Sequence, residues 1–242
     1  MGTTTSWVTG REHTSNFAVP TGLMGRLAGR VMFWTNRQRD LLPLLGIRPG
    51  EHVLEIGYGP GKLLRLLSRT EAARVAGVDP SPEMRALATR KAPGTHPGLG
   101  TAERTGQPDA AFDCVVSVNN VAIWPELEPG LRELHRVTRP GGRVVIAWHG
   151  GATPSPLARN LRLPDDVLAT LERALGDLFG DVTRHELATL TAFVSRRGSC
   201  QNSGTHRITG PRETENAWYA SHPVHEPKPK DAKKRLSGNV NR

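Results

Sequence analysis

The sequence predicts an α/β fold with a mostly parallel, doubly wound sheet, and three features carry that prediction. Between residues 21 and 195, short apolar runs alternate with stretches of helical period. The runs are apolar at consecutive positions, as in CVVSV (114–118) and VVIAW (144–148), which suits strands covered on both faces. One run, VLEIG (53–57), leads directly through a glycine-rich turn into a leucine-rich helical stretch.

Taken in order, Met24, Leu27, Val31 and Trp34 follow a helical period, and residues 41–45 continue an amphipathic stretch closed by the turn IRPGE, 47–51. The strand 53–57 follows, then a helix over 61–69 and a second strand over 75–79. Ser81 and Pro82 supply an N-cap and a first-turn proline for a helix through Lys91. A third strand is expected near Leu99, a fourth over 114–118 and a fifth over 144–148. A helix over 127–137 should stop at the RPGG turn (139–142), where the fifth strand is prepared. A helix over 164–179 and a hairpin of 181–186 with 189–195 close the body.

Charge and composition separate the ends from this body. The 242 residues carry a net charge of +9 and a pI of about 10.3, with a mean hydropathy of −0.41. Residues 196–242 hold 10 Lys+Arg against 4 Asp+Glu, one leucine and four of the six lysines, whereas residues 1–195 are only +3. Such a tail buries too little apolar surface to offset its ordering entropy and reads as disordered. The expected organisation is a flexible arm (1–20), a folded domain (21–195) whose first helix caps it, and the basic tail (196–242). Cys114 and Cys200 alone rule out a disulfide scaffold or a thiol-rich zinc site, and no metal is expected. The lack of a long apolar run predicts no membrane span, and the lack of a signal-like N-terminus a cytoplasmic location.

The chemistry points to residues 53–61, VLEIGYGPG. Gly57, Gly59 and Gly61 form a G-x-G-x-G turn that lets a ligand approach the backbone. Asp79, at the end of the second strand, stands where such sheets present a carboxylate to the two hydroxyls of a ribose. A dinucleotide would require G-x-G-x-x-G, but the third position falls on Lys62 or Leu64, and Pro60 removes an amide from the helix start. An adenosine cofactor without phosphate fits better, which selects S-adenosylmethionine. Glu55 adds negative charge suited to a sulfonium and an ammonium and adverse to a pyrophosphate.

Residues 24–195 resemble the class I S-adenosylmethionine-dependent methyltransferases, with their Rossmann-like sheet, in the small-molecule branch of ubiquinone/menaquinone C-methyltransferase-like proteins (methyltransferase type 11). Four segments carry the resemblance in order: VLEIGYGPG (53–61), VAGVDPSPEM (75–84), GTAERTGQPDAAFDCVVSVNN (100–120) and LRELHRVTRPGGRVVIAW (131–148). The resemblance implies that Glu55, Gly57, Gly59 and Gly61 line the methionine part of the cofactor and that Asp79 binds its ribose. It places Pro80 and Met84 beside the adenine, Ala102 and Glu103 at the adenine edge, and Asn119 and Asn120 near the methionine moiety. Many relatives have an aspartate where this chain has Thr101, so that contact to the adenine amino group is not carried over. The implied reaction is methyl transfer to a small-molecule acceptor with release of S-adenosylhomocysteine.

No catalytic base is assigned; His149, just after the fifth strand, is the one candidate, able to act near neutral pH. Asp113 reads as structural, Cys114 as an inert core residue, Trp148 as core, and Trp124 equally as rim or core. A nucleic-acid methyltransferase or RNA binder using the basic tail is an alternative. It is disfavoured because the fourth strand ends in VSVNNVAIW, without the proline-aromatic sequence of amino-methylating enzymes, and because aromatics are only 5%. A member that binds the cofactor without chemistry is the other alternative.

Overall fold

The computed structural model describes residues 4–10, 12–13, 38–154 and 159–199. The expected cap helix around residues 24–34 and almost all of the basic tail lie outside the described residues.

A short antiparallel pair, β1 (Thr4–Thr5) and β2 (Glu12–His13), precedes the main domain. A 3-10 turn (Arg39–Leu41) leads into α1 (Leu42–Leu45), which ends at Gly46 in the left-handed conformation. The main sheet has seven strands: β3 (His52–Ile56), β4 (Arg74–Asp79), β5 (His96–Leu99), β6 (Phe112–Val118), β7 (Thr138–His149), β8 (Val182–Glu186) and β9 (Leu190–Arg196). Their order is β5-β4-β3-β6-β7-β9-β8. The first five are parallel, and the β8–β9 hairpin joins β7 antiparallel. The order reverses between β3 and β6, the place where ligands bind in open α/β sheets.

Helices cover both faces, as the uninterrupted apolar strands require. On one face, Leu131 and Leu134 of α4 (Leu127–Val137) and Leu168, Leu171 and Leu175 of α5 (Asp165–Phe179) pack on Leu54, Ile56, Val115 and Ile146. On the other, α1, α2 (Lys62–Leu67) and α3 (Pro82–Lys91) pack on Val53, Val75, Val116 and Val145. Ser81 caps α3 as expected, its Oγ accepting from the Met84 N–H at 3.2 Å. Among the described residues, no helix is long and apolar enough to cross a membrane.

The RPGG segment differs from its expected role as a stop between helix and strand. The helix ends at Val137 and the strand begins at Thr138, with Arg139, Pro140, Gly141 and Gly142 inside it. Thr138 pairs with Phe112 and Arg143 with Cys114, so four residues bulge opposite Asp113 alone. The Asp113 carboxylate accepts from the His52 N–H of β3 at 2.8 Å and from Arg139, in the bulge, at 2.7 Å. The sheet also runs on at its end: Arg196 belongs to β9, and the Arg197 guanidinium donates to the carbonyls of His135 and Thr138.

One buried cation ties the first turn to the sheet. Arg143 donates to the carbonyls of Leu45 (2.6 Å) and Gly46 (3.1 Å) and makes a two-pronged pair with Glu51 (2.9 and 2.7 Å). Its side chain is 8% exposed. Arg143→Ala leaves both carbonyls and the Glu51 carboxylate without that partner. The variant is expected to lose about 3–5 kcal/mol, read as a lower urea midpoint.

Candidate active site

The site grows from the ends of β3 and β4. Val53 and Val75 face the α1–α3 layer, so strand alternation puts Glu55, Gly77 and Asp79 on that same face. Gly77, opposite Glu55, has to be bare, because a Cβ there would lie 2.7 Å from the Tyr58 ring. Tyr58 fills the space, and its hydroxyl donates to the Gly98 carbonyl at 2.9 Å.

Gly57, Gly59 and Gly61 all take left-handed backbone, with φ of +68°, +51° and +82°. That conformation costs a residue with a Cβ, so the turn needs glycine for its shape as well as for access. The Gly59 N–H donates to Oδ2 of Asp79 and the Ser81 N–H to its Oδ1, both at 2.9 Å. Asp79 therefore clamps the glycine turn to the start of α3. A Cβ on Gly57 would lie 2.2 Å from Nδ2 of Asn120, so that amide rests directly on the turn. Gly61 allows the other close approach, with Ala88 of α3 at 2.9 Å from where its Cβ would be.

Two buried carboxyls give the site its electrostatics. Burial pushes Glu55 up to about 8, the Asp79 charge adds to that, and a hydrogen bond from the Leu64 backbone opposes both. Asp79 is raised by burial to about 6, against the pull of the Ser81 and Gly59 N–H groups. At pH 7 Asp79 is thus mostly ionised and Glu55 mostly protonated. Glu55 is 1% exposed and its Oε2 has no hydrogen-bond partner among the described residues. An orphaned carboxyl oxygen beside a bare glycine turn fits a cationic ligand group and does not fit a phosphate.

The structure brings Asp79 onto Gly59 and Asn120 onto Gly57 in direct contact; it shows no such contact for Pro80, Met84, Ala102 or Glu103. Pro80 is exposed, and Met84 is buried in the core. Ala102 is buried, and the half-buried Glu103 has a buried Oε1 without a hydrogen-bond partner among the described residues. Thr101, the departure from the family pattern, closes its own turn: its Oγ1 accepts from the Arg104 N–H at 3.2 Å. The loop beyond it is pinned to α4 where Glu133 accepts from the Thr105 N–H and hydroxyl. Asn119 takes left-handed backbone (φ +53°), and its N–H donates to the Ala147 carbonyl at 2.8 Å. His149 is half-buried at the end of β7, edge-on to Trp148 at 5.9 Å, and burial lowers its pKa.

Several contacts had no sequence signal. Tyr58, between two glycines, reads as filler until Gly77 is placed beneath it. Trp124 is 3% exposed, which makes it a core residue, and its indole donates to Oδ1 of Asn120. Ser6 and Trp7, in the arm expected to be loose, hydrogen-bond to the 121–124 segment because its carbonyls need donors there. Cys114 is fully buried, its thiol pushed up to about 12 by burial, as an inert residue should be.

Known proteins match this chain in sequence and in fold. Residues 54–146 match the methyltransferase domain family. The chain is 35% identical over 125 residues to the uncharacterized methyltransferase YdaC of Bacillus subtilis, covering 50% of this chain and 69% of that protein. It is 36% identical over 94 residues to the demethylmenaquinone methyltransferase of Chlorobaculum parvum, covering 39% of each. The chain thus spans between about four and seven tenths of the curated relatives it matches. Its fold is similar to a SAM dependent methyltransferase from Aquifex aeolicus, with a TM-score of 0.58, 18% identity, and coverage of 71% of this chain and 97% of that one.

Proposed function

The chain belongs to the S-adenosylmethionine-dependent methyltransferases, and from that premise we propose that it methylates a small-molecule acceptor. The observation that carries the cofactor half is the clamp of Asp79 on the glycine turn, beside a buried Glu55 with an oxygen left over for a cation. Glu55, Gly57, Gly59, Gly61, Asn119 and Asn120 hold the methionine part, and Asp79 keeps lone pairs for the two ribose hydroxyls. Pro80, Met84, Ala102 and Glu103 surround the adenine. The bound cofactor supplies an electrophilic methyl on a sulfonium, which a nucleophile displaces.

The protein's part is orientation and exclusion of water. Asn119 is held in its left-handed conformation at the end of β6 by the Ala147 carbonyl, which fixes the floor beside the glycine turn. His149, whose pKa burial lowers, is the candidate to take a proton from an acceptor that must lose one. The small-molecule reading is supported by the demethylmenaquinone relative and by the VSVNN end of β6.

Incubation of the full chain with methyl-labelled cofactor and a metabolite extract tests this directly. Label is expected in a small organic product, in amounts exceeding the enzyme. Label confined to RNA or protein would overturn the acceptor class. Binding of cofactor with no labelled product in any fraction would support a non-catalytic member instead.

A further inference from the structure

We infer that Trp7 is a positioning residue for the cofactor turn, acting through Trp124 and Asn120; the inference rests on the cofactor reading above. Ser6 and Trp7 cover the short 3-10 turn Val121–Ile123 that follows Asn120. The Trp7 indole donates to the Val121 carbonyl at 2.8 Å, the Ser6 hydroxyl to the Ala122 carbonyl at 2.7 Å, and the Trp7 N–H to the Trp124 carbonyl at 3.1 Å. Three carbonyls within four residues thus receive donors from a segment more than 110 positions earlier in the chain. So short a turn satisfies few of its own carbonyls, so their partners come from elsewhere.

The held turn in turn holds Trp124. Its ring lies against Gly130 of α4, where a Cβ would be 2.6 Å from Cε3, and the residue is almost fully buried. From that fixed position its indole N–H is donated to Oδ1 of Asn120. With Oδ1 engaged, the Asn120 amide is oriented so that Nδ2 rests on Gly57. The chain of contacts therefore ends in a donor at the methionine end of the site, complementary to the carboxylate of an amino-acid moiety. Glu55 and Asp79 receive cationic and hydroxyl groups; the Asn120 amide supplies a donor of the opposite character.

The order Trp7, Trp124, Asn120 makes a specific demand on binding data. Affinity for S-adenosylhomocysteine is measured by calorimetry on the full chain, for the parent, Trp7→Phe, Asn120→Ala and the double variant. Trp7→Phe keeps the aromatic packing and removes the bond to Val121. Each single change is expected to weaken binding about 3- to 10-fold, on the scale of one lost hydrogen bond. The double variant is expected to bind no more weakly than Asn120→Ala alone, whereas the drop in urea midpoint from Trp7→Phe persists in both backgrounds. Unchanged affinity in Trp7→Phe, or a full multiplicative loss in the double variant, would overturn the inference. If Trp7→Phe does not fold, Ser6→Ala, which removes the bond to Ala122 together with the hydroxyl's local bonds from the Val8 and Thr9 N–H groups, is expected to give the same non-additive pattern with a loss of about 2- to 3-fold. A parent protein that fails to bind S-adenosylhomocysteine would instead overturn the cofactor reading, leaving the contacts of Trp7 as packing.

Discussion

Asp79→Ala is expected to abolish measurable binding of S-adenosylmethionine in calorimetry, a loss of more than about 100-fold. Two effects combine. The carboxylate accepts from the Gly59 and Ser81 N–H groups at 2.9 Å, and its removal frees the glycine turn from the start of α3. It also takes away the acceptor for the ribose diol, and hydrogen bonds to charged groups contribute about 1.5–3 kcal/mol each. Folding should suffer much less than binding. Burial raises Asp79 to about 6, above its ordinary value of 3.8, so its ionisation opposes folding. That opposition grows as pH rises from about 4 to 6, and at pH 7 the alanine variant escapes it. A near-parental urea midpoint with absent binding is the expected combination. Asp79→Asn, which keeps one carbonyl acceptor, should bind more weakly than the parent and more tightly than the alanine variant. Unchanged affinity in Asp79→Ala would remove the ribose assignment.

The sheet was legible in the sequence because its strands are long enough apolar runs to have no alternative use. CVVSV and VVIAW cannot be amphipathic helices, and each fell where a strand of the sheet lies. The ends of those strands were less legible. Phe112 and Asp113 extend β6 through the pairing of Phe112 with Thr138, which carries β7 past the unpaired RPGG bulge. Gly and Pro mark a break in one strand's ladder as readily as the end of a strand.

The cofactor turn was legible for a similar reason: glycines and a carboxylate at fixed distance from a strand leave a local signature. The Asp79–Gly59 bond spans only twenty residues of chain and follows from one strand–turn–helix unit and its neighbour. The contacts of Asn120 with Gly57 and of Trp7 with Val121 join elements that only the completed sheet brings together. Neither tryptophan has a partner recognisable from its own neighbours. Trp124 in particular could be placed at the rim or in the core until Gly130 was found to make room for its ring.

Glu55 sets a pH dependence that its position in the motif alone does not reveal. Burial, with the Asp79 charge behind it, raises Glu55 to about 8 from an ordinary 4.5. The unliganded protein is therefore expected to lose stability from this group as pH rises from about 4.5 to 8, because the unfolded chain gives up the proton first. Cofactor binding should run the other way. A sulfonium and an ammonium favour the carboxylate, so binding below pH 8 expels a proton, and affinity should rise by up to about 10-fold per unit between pH 6 and 7.5. Calorimetry in two buffers of different ionisation enthalpy should register close to one proton released per cofactor at pH 7. Above pH 7.5 the α-amino group of the ligand itself begins to titrate, with an ordinary pKa near 7.7–8.0. Glu55→Gln separates the two sources: it removes the protein's proton and leaves the ligand's. The variant should keep from pH 6 to 7.5 only the rise of about 2-fold that Asp79, at about 6, contributes, and should bind more weakly than the parent at the upper end of that window. A Glu55→Gln variant with the parental slope would assign the proton to another group and take Glu55 out of contact with the cofactor's charged end.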